Sequence, residues 1–112
     1  METIRAYTTV EQSRKLAEIL PLESADMYYD GFGRLPQGYA YPLIYPNSFE
    51  YDKPCWSLAA LLSVLPNYQL QTQDDGIGIL CSCNGNFNIV TADNLVDACV
   101  AMIEKLHKLK IL

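Results

Sequence analysis

Basic charge and histidine are what this chain has least of. Eight lysines and arginines stand against thirteen aspartates and glutamates, for a net charge of −5, and His107 is the single histidine. Such a balance excludes a general binder of phosphate backbones, which needs a basic face to displace counterions. Lys105, Lys108 and Lys110 cluster near the end, where positive charge offsets the negative pole of a helix. Long apolar runs are missing too. No stretch approaches the roughly 20 uninterrupted apolar residues that span a bilayer, so no membrane segment is expected. The opening "METIRAYTTVEQSRK" has no apolar core followed by a small-residue cleavage site, which argues against a secretory signal. A cytoplasmic location is expected, and with it reduced thiols at Cys55, Cys81, Cys83 and Cys99. What is present is ordinary for a folded chain. Half of the 112 residues are hydrophobic and 19% are charged, too apolar for disorder. That length is one domain, residues 1–112, able to bury roughly two-thirds of its unfolded surface.

Helical and strand periods alternate along the chain. In "TTVEQSRKLAEILP", Thr9 with Gln12 fits a capping box, and Thr8 with Glu11 fits it equally well. Leu16, Ile19 and Leu20 share a face and Pro21 stops the helix, which is expected over about 9–20. In "KPCWSLAALLSVLP", Pro54 suits a first helical turn. Trp56, Leu58, Leu61, Leu62, Val64 and Leu65 leave little polar face, so a buried helix is expected over about 55–65. Three strand candidates follow: "YQLQTQ", "GIGILCSC" and "FNIV". The first alternates, with Tyr68, Leu70 and Thr72 on one face and Gln69, Gln71 and Gln73 on the other. "DDG" and "NGN" supply the turns of a meander over 68–91. A last helix is expected over about 92–109, capped by Thr91. Its apolar stripe is Leu95, Cys99, Met102, Leu106 and Leu109, widened by Val96 and Ile103. The order implies an α+β two-layer domain: a three-stranded antiparallel meander, with room for a fourth strand, packed against about three helices.

Between the first two helices lies a segment of different texture. Residues 27–52, "MYYDGFGRLPQGYAYPLIYPNSFEYD", hold six of the eight tyrosines, three glycines and three prolines. Tyr39, Tyr41, Leu43 and Tyr45 alternate with Ala40, Pro42 and Ile44. A strand there belongs at a sheet edge, because Pro42 donates no ladder hydrogen bond. The segment reads first as a structured loop over the core. It reads second as a recognition surface, since tyrosine offers large, stiff contact area with a polar tip.

Cys81 and Cys83 lie two apart in a strand candidate, so they share a face with Ile77 and Ile79. Their Cα atoms would be roughly 6.5 to 7 Å apart, at the long edge of disulfide geometry. As metal ligands they supply two sulfurs where a structural zinc site takes four. Cys55, Cys99 and His107 would have to be brought from distant parts of the chain. Core packing is the ordinary role of free cysteine, and no metal or cofactor is expected. The hairpin register bears on the same face. A two-residue Asn84-Gly85 loop sets Cys81 and Cys83 beside Asn88 and Asn86. A three-residue loop through Asn86 sets them beside Ile89 and Phe87. The dipeptide favours the first. The hydrophobic pattern favours the second, and since burial usually decides register the longer loop is expected. Ile77, Ile79, Cys81, Cys83, Phe87 and Ile89 would then form one apolar seat for the helices.

No catalytic constellation emerges. Cys55 ahead of a helix, with His107 elsewhere, sketches a thiol–imidazole pair without a third orienting group. Asp74 and Asp75 sit in a hairpin turn, where Asp and Gly serve the backbone. "GFG" and "GIG" lack the longer frame of a phosphate loop. Asp26 and Asp30 flank Tyr28 and Tyr29 with nothing to favour a cation over a solvated turn.

Three stretches, "EQSRKLAEILPLESADM", "KPCWSLAALLSVLP" and "TADNLVDACVAMIEKLHKL", together resemble small proteins carried by phages, prophages and mobile elements of gut bacteria. Those share a Pro-x-Trp-Ser/Thr-Leu-x-x-Leu-Leu-x-x-Leu-Pro helix, then strands, then a closing Asp-Asn-x-Val-Asp-Ala helix. The resemblance covers about half the chain, spares the tyrosine-rich middle and carries no activity with it. In topology, a meander followed by an "Asp-x-x-x-Asp-Ala" helix is similar to HicB-type antitoxin domains, which bind a partner toxin. Here the opening half departs and no appended DNA-binding segment is evident. The expectation is therefore a small acidic non-enzymatic protein–protein interaction module of phage or mobile-element origin, binding a protein partner or itself. The alternative is an antitoxin-like or host-inhibitor module, and the remotest reading is a thiol- or metal-dependent enzyme. The expected contact residues are Tyr28, Tyr29, Tyr39, Tyr41, Tyr45 and Tyr51, with Gln69, Gln71 and Gln73 on the sheet.

Overall fold

Thr9 opens the first helix of the computed structural model. Its hydroxyl accepts from the Gln12 N–H, and the Gln12 carboxamide oxygen accepts from the Thr9 N–H, each at 3.0 Å. Of the two boxes offered by the sequence, Thr9/Gln12 forms. Thr8 is buried instead, tied to Ser13 at 2.8 Å. The structure describes residues 6–29, 42–43, 53–73, 76–83 and 85–112. Within them the elements are α1 (Val10–Ala17), a 3-10 turn (Leu22–Ser24), β1 (Met27–Tyr29), β2 (Pro42–Leu43), β3 (Lys53–Cys55), α2 (Leu58–Val64), β4 (Tyr68–Gln73), β5 (Gly76–Cys83), β6 (Asn86–Ala92) and α3 (Leu95–Lys108). The class is α+β: three helices with a three-stranded antiparallel meander, β4-β5-β6, among the described residues.

A second small sheet, ordered β2-β1-β3, accompanies the meander. Tyr28 lies opposite Leu43 on one side and opposite Pro54 on the other. Both prolines thus sit on edge strands, where a missing N–H costs no ladder bond. Pro54 is accordingly not in a first helical turn. Residues 53–55 are strand, and α2 begins at Leu58 behind the Ser57 cap, whose hydroxyl accepts from the Ala60 N–H at 3.2 Å. The Asp26 carboxylate holds that cap in place, accepting from the Ser57 N–H at 2.9 Å and from the Ser57 hydroxyl.

α3 also starts later than the strand–helix boundary implied by Thr91. Thr91 belongs to β6, and Asn94 caps the helix, its side-chain oxygen accepting from the Asp97 N–H at 2.9 Å. The Asp97 carboxylate in turn accepts from the Gln12 carboxamide at 2.8 Å, joining α1 to the positive end of α3. At its far end the helix closes with Lys110 left-handed at φ 63. The Lys110 N–H reaches the His107 carbonyl at 3.0 Å and the Ile111 N–H reaches Leu106 at 2.8 Å, a Schellman closure. Leu109, expected in the apolar stripe, is instead the C-cap residue beyond the last turn of α3 and is exposed.

The core gathers where these elements meet. Leu16 comes from α1 and Leu20 from the turn that follows it, short of the expected helix end at 20, with Leu61 from α2, Ile79 and Cys81 from β5, Val96, Cys99, Met102, Ile103 and Leu106 from α3, and a fully buried Trp56. The indole N–H donates to the Ser24 hydroxyl at 2.9 Å, so its polar edge is satisfied within the apolar surroundings. α3 packs across β5 and β6. No helix among the described residues is long and apolar enough to cross a membrane.

Candidate functional site

The β5–β6 register decides what the meander presents. Cys81 lies opposite Asn88 and Cys83 opposite Asn86, with Leu80 opposite Ile89 and Ser82 opposite Phe87. The loop is therefore the two-residue Asn84-Gly85 form, and Gly85 adopts φ +81 as a primed turn requires. This overturns the longer loop expected from the hydrophobic pattern. Turn chemistry prevails because the right-handed twist of two-residue primed turns matches the strands they join. On the inner face Val90 and Ala92, opposite Ile79 and Ile77, then supply the apolar contacts to the core.

A one-residue difference in register exchanges faces. Phe87 and Ile89, expected to seat the helices, point outward and are 69% and 49% exposed. They join Leu80 on the side of the sheet away from α3, beside Gln69 and Gln71, which lie opposite Leu80 and Gly78. This face bears no charged side chain among the described residues of β4, β5 and β6. Asn88 takes the inward position. It is 8% exposed, and its side-chain N–H2 group has no hydrogen-bond partner among the described residues. A buried amide donor without a partner costs on the order of 1–3 kcal/mol. The strand thus holds two large apolar groups in water and one amide in the core.

The other residues singled out from the sequence are distributed as follows. Gln69 and Gln71 share the outward face with Phe87 and Ile89, and both are exposed. Gln73 ends β4, and Tyr28 and Tyr29 lie in β1. Tyr39, Tyr41, Tyr45 and Tyr51 lie outside the described residues, as does Asp30. The structure therefore brings the glutamines together with apolar residues that the sequence had assigned to the core. Alternation alone offered no signal for Phe87 and Ile89. The Asn84-Gly85 dipeptide did.

Sulfur chemistry is quiet in this arrangement. Cys55, Cys81 and Cys99 are reduced and fully buried. Burial, and secondarily the nearness of Cys81, pushes the Cys99 thiol from 9.0 up to about 12, away from the thiolate that nucleophiles and metal ligands need. The Cys55 thiol donates to the Thr8 carbonyl at 3.6 Å, and Thr8 also accepts from the Trp56 N–H at 3.2 Å, a packed junction between chain start and α2. His107 is exposed, with Nδ1 3.1 Å from the Leu112 carbonyl oxygen. No group of three or more His, Cys, Asp or Glu among the described residues is arranged to hold a metal ion. Compared with protein-family models, curated proteins and solved structures, the chain matches none.

Proposed function

We propose that this protein is a non-enzymatic protein-binding module that docks a partner protein on the outward face of the meander. Phe87, Ile89 and Leu80 supply the apolar centre, and Gln69 and Gln71 supply amide contacts beside it. One observation carries the reading: β6 holds Phe87 and Ile89 in water while Asn88 is buried without a partner for its amide. Where local sequence conflicts so plainly with burial, function is the usual reason. Exposed aromatic and aliphatic residues rimmed by polar ones are the ordinary composition of an interface. The acidic balance favours a protein partner over nucleic acid. The reading includes a phage or mobile-element setting and a bacterial cytoplasmic location, supported by the resemblance of the three helical motifs alone. A second reading, an antitoxin-like or host-inhibitor module, draws on the strand–strand–strand–helix order of β4, β5, β6 and α3.

The test is a comparative pull-down from a bacterial host with wild type and the double variant Phe87→Ser/Ile89→Ser, after matching their far-UV spectra and melting temperatures. The reading expects a protein retained at least tenfold more by wild type. Equal retention by both would overturn it. A toxin or host enzyme as the retained protein favours the second reading over the first.

A further inference from the structure

The two edges of the meander are treated differently. β6 lies under α3, and the Lys105 ammonium reaches the Ile89 carbonyl oxygen at 3.4 Å. β4 lies beyond that cover. Its residues Tyr68, Leu70 and Thr72 face the same side as Cys81, Ile79 and Ile77. Ile79 and Cys81 are fully buried, yet Tyr68 is 40% and Leu70 47% exposed. The core face continues onto β4 but its helical roof does not. Among the described residues, β4 carries none of the charge, proline or bulge devices that blunt a sheet edge. Tyr-Gln-Leu-Gln-Thr-Gln contains no proline and no charge, and its one-to-one register with β5 runs unbroken from Tyr68 to Gln73, without a bulge.

We propose that this edge pairs antiparallel with β4 of a second copy of the chain, about a two-fold axis at Leu70, to make one six-stranded sheet. The axis stands perpendicular to the sheet, so helices of both copies lie on the same side. Antiparallel partners point to the same face, which restricts the pairing to sums of residue numbers that are even. A sum of 140 sets Leu70 opposite Leu70, Tyr68 opposite Thr72 and Gln69 opposite Gln71, and pairs five of the six strand residues. Both exposed apolar residues are then covered. On the outer side two carboxamides meet, each carrying donor and acceptor, and so complete one another. Centring the axis one residue earlier pairs only three strand residues. Centring it one later pairs five but leaves Tyr68 without a partner in β4.

Charge permits this occupant. Tyr-Gln-Leu-Gln-Thr-Gln carries no charged side chain, so pairing it with its own copy sets no like charges opposite each other across the new strand pair, despite the net charge of −5. The pairing shares Gln69 and Gln71 with the proposed partner site but leaves its apolar centre, Phe87 and Ile89, untouched, so substitutions at Leu70 and at Phe87/Ile89 test the two separately.

Engineered cysteine cross-linking tests the axis. Opposed residues of antiparallel strands have Cα atoms about 4.5 to 5.5 Å apart, within disulfide range. Under mild oxidation Leu70→Cys is expected to form a covalent dimer at least tenfold faster than Gln69→Cys or wild type. Sedimentation velocity on reduced wild type is expected to show mass rising from 12.6 kDa toward twice that value with concentration. Leu70→Lys, with an unchanged far-UV spectrum, is expected to remain monomeric while keeping whatever Phe87 and Ile89 retain in a pull-down. Wild type that is monomeric up to about millimolar concentration, or Leu70→Cys that links no faster than Gln69→Cys, would overturn the proposal.

Discussion

Replacing Asn88 by leucine should stabilise the protein. The two side chains have the same branched shape, and the position is nearly closed to water. The substitution removes an amide donor that has no partner, a desolvation cost on the order of 1–3 kcal/mol. It also places two methyl groups against the core-facing side of β6, opposite Cys81. The gain should be about 1–3 kcal/mol, since a new apolar group in a packed site seldom fits without some adjustment. At about 2.1 cal/mol/K of unfolding entropy per residue, 112 residues convert each kcal/mol into roughly 4 °C. Urea melts read at two wavelengths give the free energy, and calorimetry gives the melting temperature. Had the hairpin taken the longer loop, Asn88 would face water, and the same change would stay within about 0.5 kcal/mol. A melting temperature unchanged or lowered would refute the inward placement of Asn88. The companion Ile89→Lys should cost under about 1 kcal/mol as a surface change, where burying a lysine would cost several.

Three further outcomes are expected. Lys110→Gly should add about 0.5–1 kcal/mol by chemical denaturation. A non-glycine residue in the left-handed well at φ 63 carries roughly 1–2 kcal/mol of strain, offset in part by glycine's extra unfolded-state entropy. Gly76→Ala should destabilise by more than about 2 kcal/mol, visible as a lowered urea midpoint. Its φ is +150, and an added Cβ would stand 2.3 Å from the Ala92 carbonyl oxygen, on backbone that cannot yield. Alkali should destabilise the fold through Cys99, whose thiol is pushed from 9.0 up to about 12. The folded state then holds a proton that the unfolded chain has released, so stability is full below pH 9.0 and lost between 9.0 and about 12, at up to about 1.4 kcal/mol per pH unit. Cys99→Val should flatten that slope, and an equal slope in both proteins would contradict the assignment.

The parts of the fold that could be read from residues are those fixed by local chemistry. Thr9 and Gln12 announced α1, strict alternation announced β4, and the apolar stripe of α3 held from Val96 to Leu106. The burial of Cys81 and Cys99 followed from strand and helix periods alone. Misreadings arose where two signals competed or where partners lay far apart in sequence. Asn84-Gly85 and the Phe87/Ile89 pattern demanded different registers, and the turn prevailed. Pro54 suited a helix start as well as an edge strand. Only its pairing with Tyr28, 26 positions away, decided between them. The Asn94 cap had its signature in Asn-x-x-Asp but was outweighed by Thr91, which the meander claimed as strand. The candidate site was legible only on its glutamine side. Its apolar side depends on the register, which no single residue declares.

Register is therefore what most needs measuring. Backbone cross-strand NOEs in the folded, isotope-labelled protein report it directly, without mutation. The account expects contacts of Cys81 with Asn88 and of Leu80 with Ile89, with the Phe87 ring protons free of contacts to α3. Contacts of Cys81 with Ile89 and of Cys83 with Phe87 would contradict it, and would return the proposed binding face to the core.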